Sequence, residues 1–372
     1  MRSRSIALAW TGLSLVACGA TSPPAEVGVD AAPMFDERAH ASGIDFVHFN
    51  GMSGELYFVE IFGPGVGLFD YDNDGDLDLY VTQGRMLGPG KTVGDAIFPP
   101  ADDAPPGDRL FRNELHELGR LTFTDVTDAA GIAPAGYGMG VAAGDYDGDG
   151  WIDLYVTAFG PNRLLHNRGD GTFVDRTDAS GTQDDRWSTS AAFVDYDADG
   201  RLDLYVVNYV SFSFATHRPC VSATGAPGYC GPDSFRPEPD RLLRNLGGGR
   251  FADVSEASGV GTLAGSGLGV CYGDFDRDRR LELYVANDLM ANRLWAPDGG
   301  GRLIDRALLA GCAFNADGQA ESSMGVDAGD FDGDGDEDLF VTHLDNETNT
   351  LYLNDGRGWF TDVTFERGLG TA

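Results

Sequence analysis

Five short stretches of the chain crowd carboxylates at one fixed spacing: GVGLFDYDNDGDLDLY (65–80), GDYDGDGWIDLYVT (144–157), VDYDADGRLDLYVV (194–207), GDFDRDRRLELYVA (273–286) and GDFDGDGDEDLFVT (329–342). Numbering each loop from its first acid puts carboxylates at positions 1, 3, 5 and 9, with Gly usually at position 6. These are Asp70, Asp72, Asp74 and Asp78; Asp145, Asp147, Asp149 and Asp153; Asp195, Asp197, Asp199 and Asp203; Asp274, Asp276, Asp278 and Glu282; Asp330, Asp332, Asp334 and Asp338. Position 7, held by Asp76, Trp151, Arg201, Arg280 and Asp336, is where calcium loops offer a backbone carbonyl. Two carboxylates roughly 5 Å apart at an effective dielectric of about 20 repel by about 3 kcal/mol. Six such pairs amount to on the order of 20 kcal/mol, more than the net stability of a domain. The spacing therefore predicts a cation in each loop. An all-oxygen donor set with flexible coordination selects Ca²⁺ over Zn²⁺, and Mg²⁺ keeps more of its own water.

The loops are not helix-flanked. A helix–loop–helix calcium site needs Glu at position 12, where this chain has Val81, Val156, Val206, Val285 and Val341, all inside strand-like runs. The fourth loop departs from the pattern. Arg279 replaces the Gly at a position expected to need positive φ, Glu282 replaces the last Asp, and Arg277 and Arg280 add positive charge. Four strong calcium sites and a fifth, degenerate one at 274–282 are expected.

The elements that hold these loops repeat with them. A Gly-rich apolar strand such as YGMGVAAG (137–144) precedes each loop and a strand of the type LDLYV follows it. A third strand appears as NRLLHN (162–167), DRLLRN (240–245), NRLW (292–295) and NTLYLN (349–354). A fourth follows as TFTDVT (122–127), TFVDRT (172–177), RFADVS (250–255), RLIDRA (302–307) and WFTDVT (359–364). Four short strands per repeat predict an all-β chain of β-propeller blades. In LDLYV both alternating faces are apolar, as sheets stacked face to face require. MFDERAHASG (34–43) reads as an extra, orphan fourth strand, because Phe35 precedes Gly43 as Phe123 precedes Gly131. Five blades plus that strand predict a truncated, open arc of a larger ring.

These loops and strands resemble the FG-GAP/VCBS-type repeats of integrin-α-like propellers, with Phe62-Gly63-Pro64-Gly65 a relaxed form of the name-giving motif. DYDNDGDLDLYVTQG, LLRNLGGGRFADVSEASG and YCGP (229–232) are similar to the cartilage acidic protein/UnbV family. Propellers of that family carry further blades and a C-terminal domain.

The 372 residues carry a formal charge of −33, which argues against nucleic acid and anionic lipid surfaces as partners and for cations. Arg2 and Arg4 precede IALAWTGLSLVA, an apolar run built like a secretory signal rather than a permanent span. Leu15-Val16-Ala17-Cys18 resembles the bacterial lipobox, which implies cleavage after residue 17 and acylation of Cys18; an ordinary signal peptide with an incidental Cys is the alternative. Acyl chains at about 0.8 kcal/mol per buried CH₂ would then be the membrane attachment, on the outer membrane's periplasmic side or at the cell surface. A flexible tether (18–34) and the propeller (35–372) follow. Export permits disulfides. Cys220 and Cys230 share one Pro/Gly-rich insertion and form the expected bridge, whereas Cys271 and Cys312 fit either buried thiols or a second pair.

Strand order puts the acidic loops on one rim and the two long insertions, 84–108 and 211–239, on the other. Long loops on a rigid scaffold are where binding evolves. His217, Arg218, Tyr229, Phe235 and Arg236 are the candidate ligand residues, unless the insertion is a disulfide-pinned flap. The sequence has no His-Glu-x-x-His, nucleophile elbow or phosphate loop, and no catalytic residue is assigned. The expected function is a calcium-stabilised, lipid-anchored binding or adhesion module with a protein or glycan ligand. The alternative is a calcium-dependent lyase or hydrolase acting on glycans, which would gather His, Tyr and Arg around the central channel.

Overall fold

Each acidic loop joins the first two strands of a four-stranded antiparallel sheet, and five such sheets follow one another along the chain. The computed structural model describes residues 35–100, 106–133, 136–221, 225–344 and 346–370. Two units are distinguished, Met1–Arg38 and Ala39–Ala372. The signal segment, Cys18 and the tether lie outside the described residues.

Blade one consists of Val66–Phe69, Asp78–Val81, Arg109–Asn113 and Phe123–Asp125, and blade two of Tyr137–Gly144, Asp153–Phe159, Arg163–Asn167 and Phe173–Asp175. Ser188–Val194, Asp203–Asn208, Arg241–Asn245 and Phe251–Asp253 form blade three. Blade four comprises Gly267–Gly273, Glu282–Asn287, Arg293–Pro297 and Leu303–Asp305, and blade five Ser323–Gly329, Asp338–His343, Thr350–Asn354 and Phe360–Asp362. In each hairpin the residue before position 1 pairs with position 9, for example Gly144 with Asp153 and Val194 with Asp203. Position 9 is thus a strand residue, and its side chain is directed by the ladder rather than by the loop.

The LYV strands bury both faces as their pattern requires. Tyr80 of blade one packs with Leu154 and Val156 of blade two; Tyr155 packs with Leu204 and Val206 of blade three. The same arrangement recurs for Tyr205 against Leu283 and Val285, and for Tyr284 against Leu339 and Val341. Full burial of each such side chain contributes about 2 kcal/mol, and buried phenols still need a partner. Each has one: Tyr80 and Tyr205 donate to Asp108 and Asp240, at 2.9 and 2.7 Å, and Tyr155 and Tyr284 donate to the carbonyls of Thr182 and Cys312. Cys271 and Cys312 are free thiols, and Cys220–Cys230 is a disulfide.

After the fourth strand the chain turns through Asp-x-Thr or Asp-x-Ser, except in blade four, where Asp305-Arg306-Ala307 lacks the hydroxyl and Asp305 itself accepts from Leu294 N–H. Asp175 accepts from the N–H and hydroxyl of Thr177, and the same hydroxyl oxygen caps the third strand by accepting from Leu164 N–H. The turn ends at a left-handed Gly. Residues 35–43 keep that turn but not the strand: His40–Ser42 is a 3-10 turn closed by Gly43 at φ 94°, and Phe35 is exposed. A Cβ on Gly43 would collide with the carbonyl oxygen of Phe123, just as one on Gly311 would with that of Phe360. The turn at 40–43 therefore docks on blade one as its counterparts dock on the blades that follow them, while lacking a third strand of its own to pair with.

The four apolar clusters named above fill the seams between successive blades; none of them, among the described residues, joins blade five to blade one. Val66 and Leu68 on the outer side of blade one are 61 and 60% exposed, and Phe331 of blade five is 50% exposed. The five blades thus form an open arc. No helix among the described residues is long and apolar enough to cross a membrane.

Candidate metal centres at the loop tips

Within a loop the acids are held by backbone N–H groups. The position 1 carboxylate folds the loop over itself: Asp145 accepts from Gly148, Asp149 and Gly150 at 2.8, 3.1 and 2.9 Å, and Asp330 accepts from Gly333, Asp334 and Gly335. Position 5 accepts from position 7, as Asp74 does from Asp76 N–H and Asp199 from Arg201 N–H. Position 9 is buried and bridges two elements. Asp78 accepts from Tyr71 N–H and, in the third strand, from Asn113 N–H at 2.9 and 2.8 Å.

These bonds leave donor atoms facing inward. Carboxylate oxygens of Asp70, Asp72 and Asp78 lie within 4.8 Å of one another, as do those of Asp145, Asp147 and Asp149, of Asp195, Asp197 and Asp199, and of Asp74, Asp76 and Glu117. Buried oxygens of Asp72, Asp74, Asp197 and Asp274 have no hydrogen-bond partner among the described residues. A buried unpaired acceptor costs about 1–3 kcal/mol, more when charged, so this donor set fits a hard divalent cation. Burial pushes Asp78 and Asp203 up to about 7, and Asp153 and Glu282 up to about 8. Neighbouring loop carboxylates push in the same direction, and the backbone N–H bonds oppose it. Desolvation also raises Asp72 and Asp147.

The third strand contributes an Asn that ties loop to loop. Asn167 donates to Tyr71 O of blade one and Ile152 O of its own blade at 2.7 and 3.2 Å. Asn245 does so to Tyr146 O and Leu202 O, and Asn354 to Phe275 O and Glu337 O. Asn245→Ala is expected to destabilise the protein by about 2 kcal/mol, read by urea unfolding, since it strands one buried and one partly buried carbonyl. Blade four has Pro297 at this position. With neither N–H nor amide there, Glu282 accepts only from Phe275 N–H among the loop–strand bonds seen in the other blades.

The fourth loop differs as its sequence suggests. Arg279 sits at φ 70°, where Gly75, Gly150, Gly200 and Gly335 have φ of 85 to 95°. Arg280 pairs with Asp278, Arg306 lies 3.7 Å from Asp276, and Arg277 reaches over to Gly335 O and Asp336 of the fifth loop. Its carboxylates therefore carry internal counter-ions. Arg279→Gly is expected to raise the melting temperature by about 2–4 °C, by relieving about 1 kcal/mol of left-handed strain.

The candidate ligand residues fall on the rim away from the loops, in two groups. His217 bonds Glu55 O at 2.8 Å, Tyr229 donates to Glu60 at 2.9 Å, and Phe235 stacks on Phe58 with ring centroids 5.4 Å apart. These three tie the 211–239 insertion to residues 55–60; Phe235 joins an apolar cluster with Tyr57, Trp187 and Tyr209, and His217 packs edge-on against Tyr57. Arg218 and Arg236 instead face solvent. Sequence reasoning gave residues 49–62 no role in this cluster, and the only prior signal was their density of aromatic residues. A cavity of about 330 Å³ between the first strands of blades two to five is lined by small residues including Ala142, Ala191 and Ala328, with Tyr272, Asp327 and Glu337.

The FG-GAP-like repeat family matches residues 145–206 and 274–341, two spans that each run from one acidic loop to the second strand of the next blade. The chain is thus an all-β protein of four-stranded propeller-type blades that carries FG-GAP-like repeats in these two spans. No curated protein matches it. Among solved structures it is similar to an Agrocybe aegerita lectin described as recognising non-reducing terminal N-acetylglucosamine (16% identity over 81% of this chain and 65% of that one, TM-score 0.40). It is also similar to the V. cholerae biofilm matrix protein Bap1 (13%, 80% and 38%, TM-score 0.36) and to a Bacillus licheniformis rhamnogalacturonan lyase (16%, 80% and 49%, TM-score 0.39). The chain spans 38 to 65% of the length of these three structures.

Proposed function

We propose that the protein is a calcium-stabilised, extracytoplasmic propeller lipoprotein, anchored through Cys18, that acts as a binding or adhesion module for a protein or glycan. The observation that carries the reading is the set of buried, unpartnered oxygens on Asp72, Asp74, Asp197 and Asp274 at the loop tips. They occur in a repeated cage that serves to hold blades together rather than to meet a substrate. Loops spent on stability leave the opposite rim for recognition. There the exposed Arg218 and Arg236 and the apolar Ile97, Phe98 and Val221, each more than half exposed, offer the cationic and apolar anchors that interfaces favour.

The cavity between the first strands presents mostly small apolar side chains with Phe193, Cys271, one Tyr and two carboxylates, rather than a gathering of His and Arg. That arrangement favours recognition over glycan cleavage. A glycan array run in Ca²⁺, with chromatography of the recovered sugars, tests this directly. Retention without turnover is the expected result, and new unsaturated or shortened sugars would replace the reading with a lyase or hydrolase. Arg218→Ala with Arg236→Ala is expected to weaken retention.

A further inference from the structure

The second loop differs from the other four in what its third strand aims at it. The residue before the strand's terminal Asn or Pro is Arg112, His166, Arg244, Ala296 or Leu353 in blades one to five. Arg244 lies on its loop as a counter-ion, with Nε 2.8 Å from Asp197 and Nη2 3.3 Å from Asp199. His166 instead brings a ring nitrogen: Nδ1 stands 3.0 Å from Asp153 Oδ1 and 3.5 Å from Asp147 Oδ2. One donor atom from each of Asp147, Asp153 and His166 lies within 4.8 Å of the others. The Asp153 side chain is fully buried and that of His166 is 16% exposed. The ring is steadied edge-on by Tyr146, with centroids 6.2 Å apart. A cavity of about 530 Å³, whose lining includes His166, Asp147, Asp149, Arg176 and Arg250, reaches two of the three, with Asp153 buried behind them, and gives an ion a way in.

We propose that this loop is a mixed nitrogen–oxygen site for a borderline divalent metal such as Zn²⁺ or Mn²⁺, with His166, Asp147 and Asp153 as ligands, while the all-oxygen loops take Ca²⁺. Imidazole is a poor ligand for Ca²⁺ and a good one for first-row metals, so one nitrogen among carboxylates changes the preference of the loop without changing its backbone. The inference rests on the reading that the loops hold divalent cations.

The test is equilibrium dialysis of the folded protein against Zn²⁺ with Ca²⁺ in large excess, followed by metal analysis. The wild-type chain is expected to retain one Zn²⁺. His166→Arg, which installs the residue that blades one and three already hold in this fold, and His166→Gln are expected to retain none, with calcium in the other loops unchanged. Zn²⁺ retained equally by both variants, or by no chain while calcium fills the loops, overturns the inference and leaves the calcium reading intact. A folded chain that binds neither metal overturns both. Should the variants misfold, electron spin-echo spectra of Mn²⁺ on the wild-type chain decide the matter: ¹⁴N modulation lost on adding Zn²⁺ is expected, and its absence overturns the assignment.

Discussion

Chelation of divalent cations is expected to lower the melting temperature of the propeller by about 20 °C or more. A site filled at a hundred times its dissociation constant stabilises by about 2.7 kcal/mol. Four such sites would contribute on the order of 10 kcal/mol, comparable with the whole net stability of a domain. The loss should be cooperative, because position 9 of every loop but the fourth is also a strand residue bonded to the third strand, as Asp203 is to Asn245 N–H at 2.7 Å. A loop that opens therefore loosens the seam beside it. Scanning calorimetry with and without EDTA reads the effect, and an unchanged transition would remove the cation from the account of the fold.

The size of that effect should depend on pH with a definite sign. Asp78, Asp153, Asp203 and Glu282 have folded values of about 7 to 8, above the usual carboxylate range of about 4. Without metal the fold thus favours their protonated forms. The stability they lend is complete below about pH 4 and is lost as pH rises through 7 and 8. The chelated protein should melt progressively lower from pH 5.5 to 8. Calcium competes with these protons, so the gap between the calcium-loaded and chelated transitions should widen over the same range. A gap that narrows would mean that position 9 does not ligate.

Much of this architecture is legible in the residues because repetition averages out local ambiguity. YGMGVAAG ends where the strand ends, and Val at position 12 separates these loops from helical calcium sites. Arg279 announced a strained turn, since a Gly at that place in four loops specifies its backbone. Contacts made between repeats are less legible. His166 occupies an ordinary strand position in RLLHN, and only its alignment with Arg112 and Arg244 shows that the position looks into a loop. Asn167 and Asn245 end their strands in the same way, yet their amides serve the preceding blade, nearly a hundred residues away. Segment 35–43 carries the phasing of a fourth strand, but strand identity depends on a neighbour to pair with, which no local pattern encodes. The aromatic cluster joining Phe58 to Phe235 and Trp187 is likewise a property of the 211–239 insertion meeting the segment before blade one.

Replacing Gly140 by Val is expected to cost about 3 kcal/mol or more, through the blades and independently of any ion. Gly140 lies in the first strand of blade two, where the strands of neighbouring blades approach most closely. A Cβ there would stand 2.5 Å from Thr189 O, 2.9 Å from Thr157 Oγ1 and 3.1 Å from Ser190 Cα. Two of these three are backbone atoms of blade three, which cannot rotate away as a side chain would. Gly269 meets Met324 O of blade five in the same manner, at 2.7 Å, so the close approach is a repeated feature of the inner strands. Relief requires blades two and three to separate, which opens the seam filled by Tyr155, Leu204 and Val206. Gly136→Ala is the control, since its Cβ would meet Ala158 Cβ at 3.7 Å and Pro161 O at 4.0 Å, both ordinary contacts. Urea unfolding in saturating calcium should show a large loss for Gly140→Val, about half of it for Gly140→Ala, and almost none for the control. A Gly140→Val protein within about 0.5 kcal/mol of wild type would mean that the inner strands stand further apart than this packing requires, and the small residues lining the central cavity would then need a different explanation.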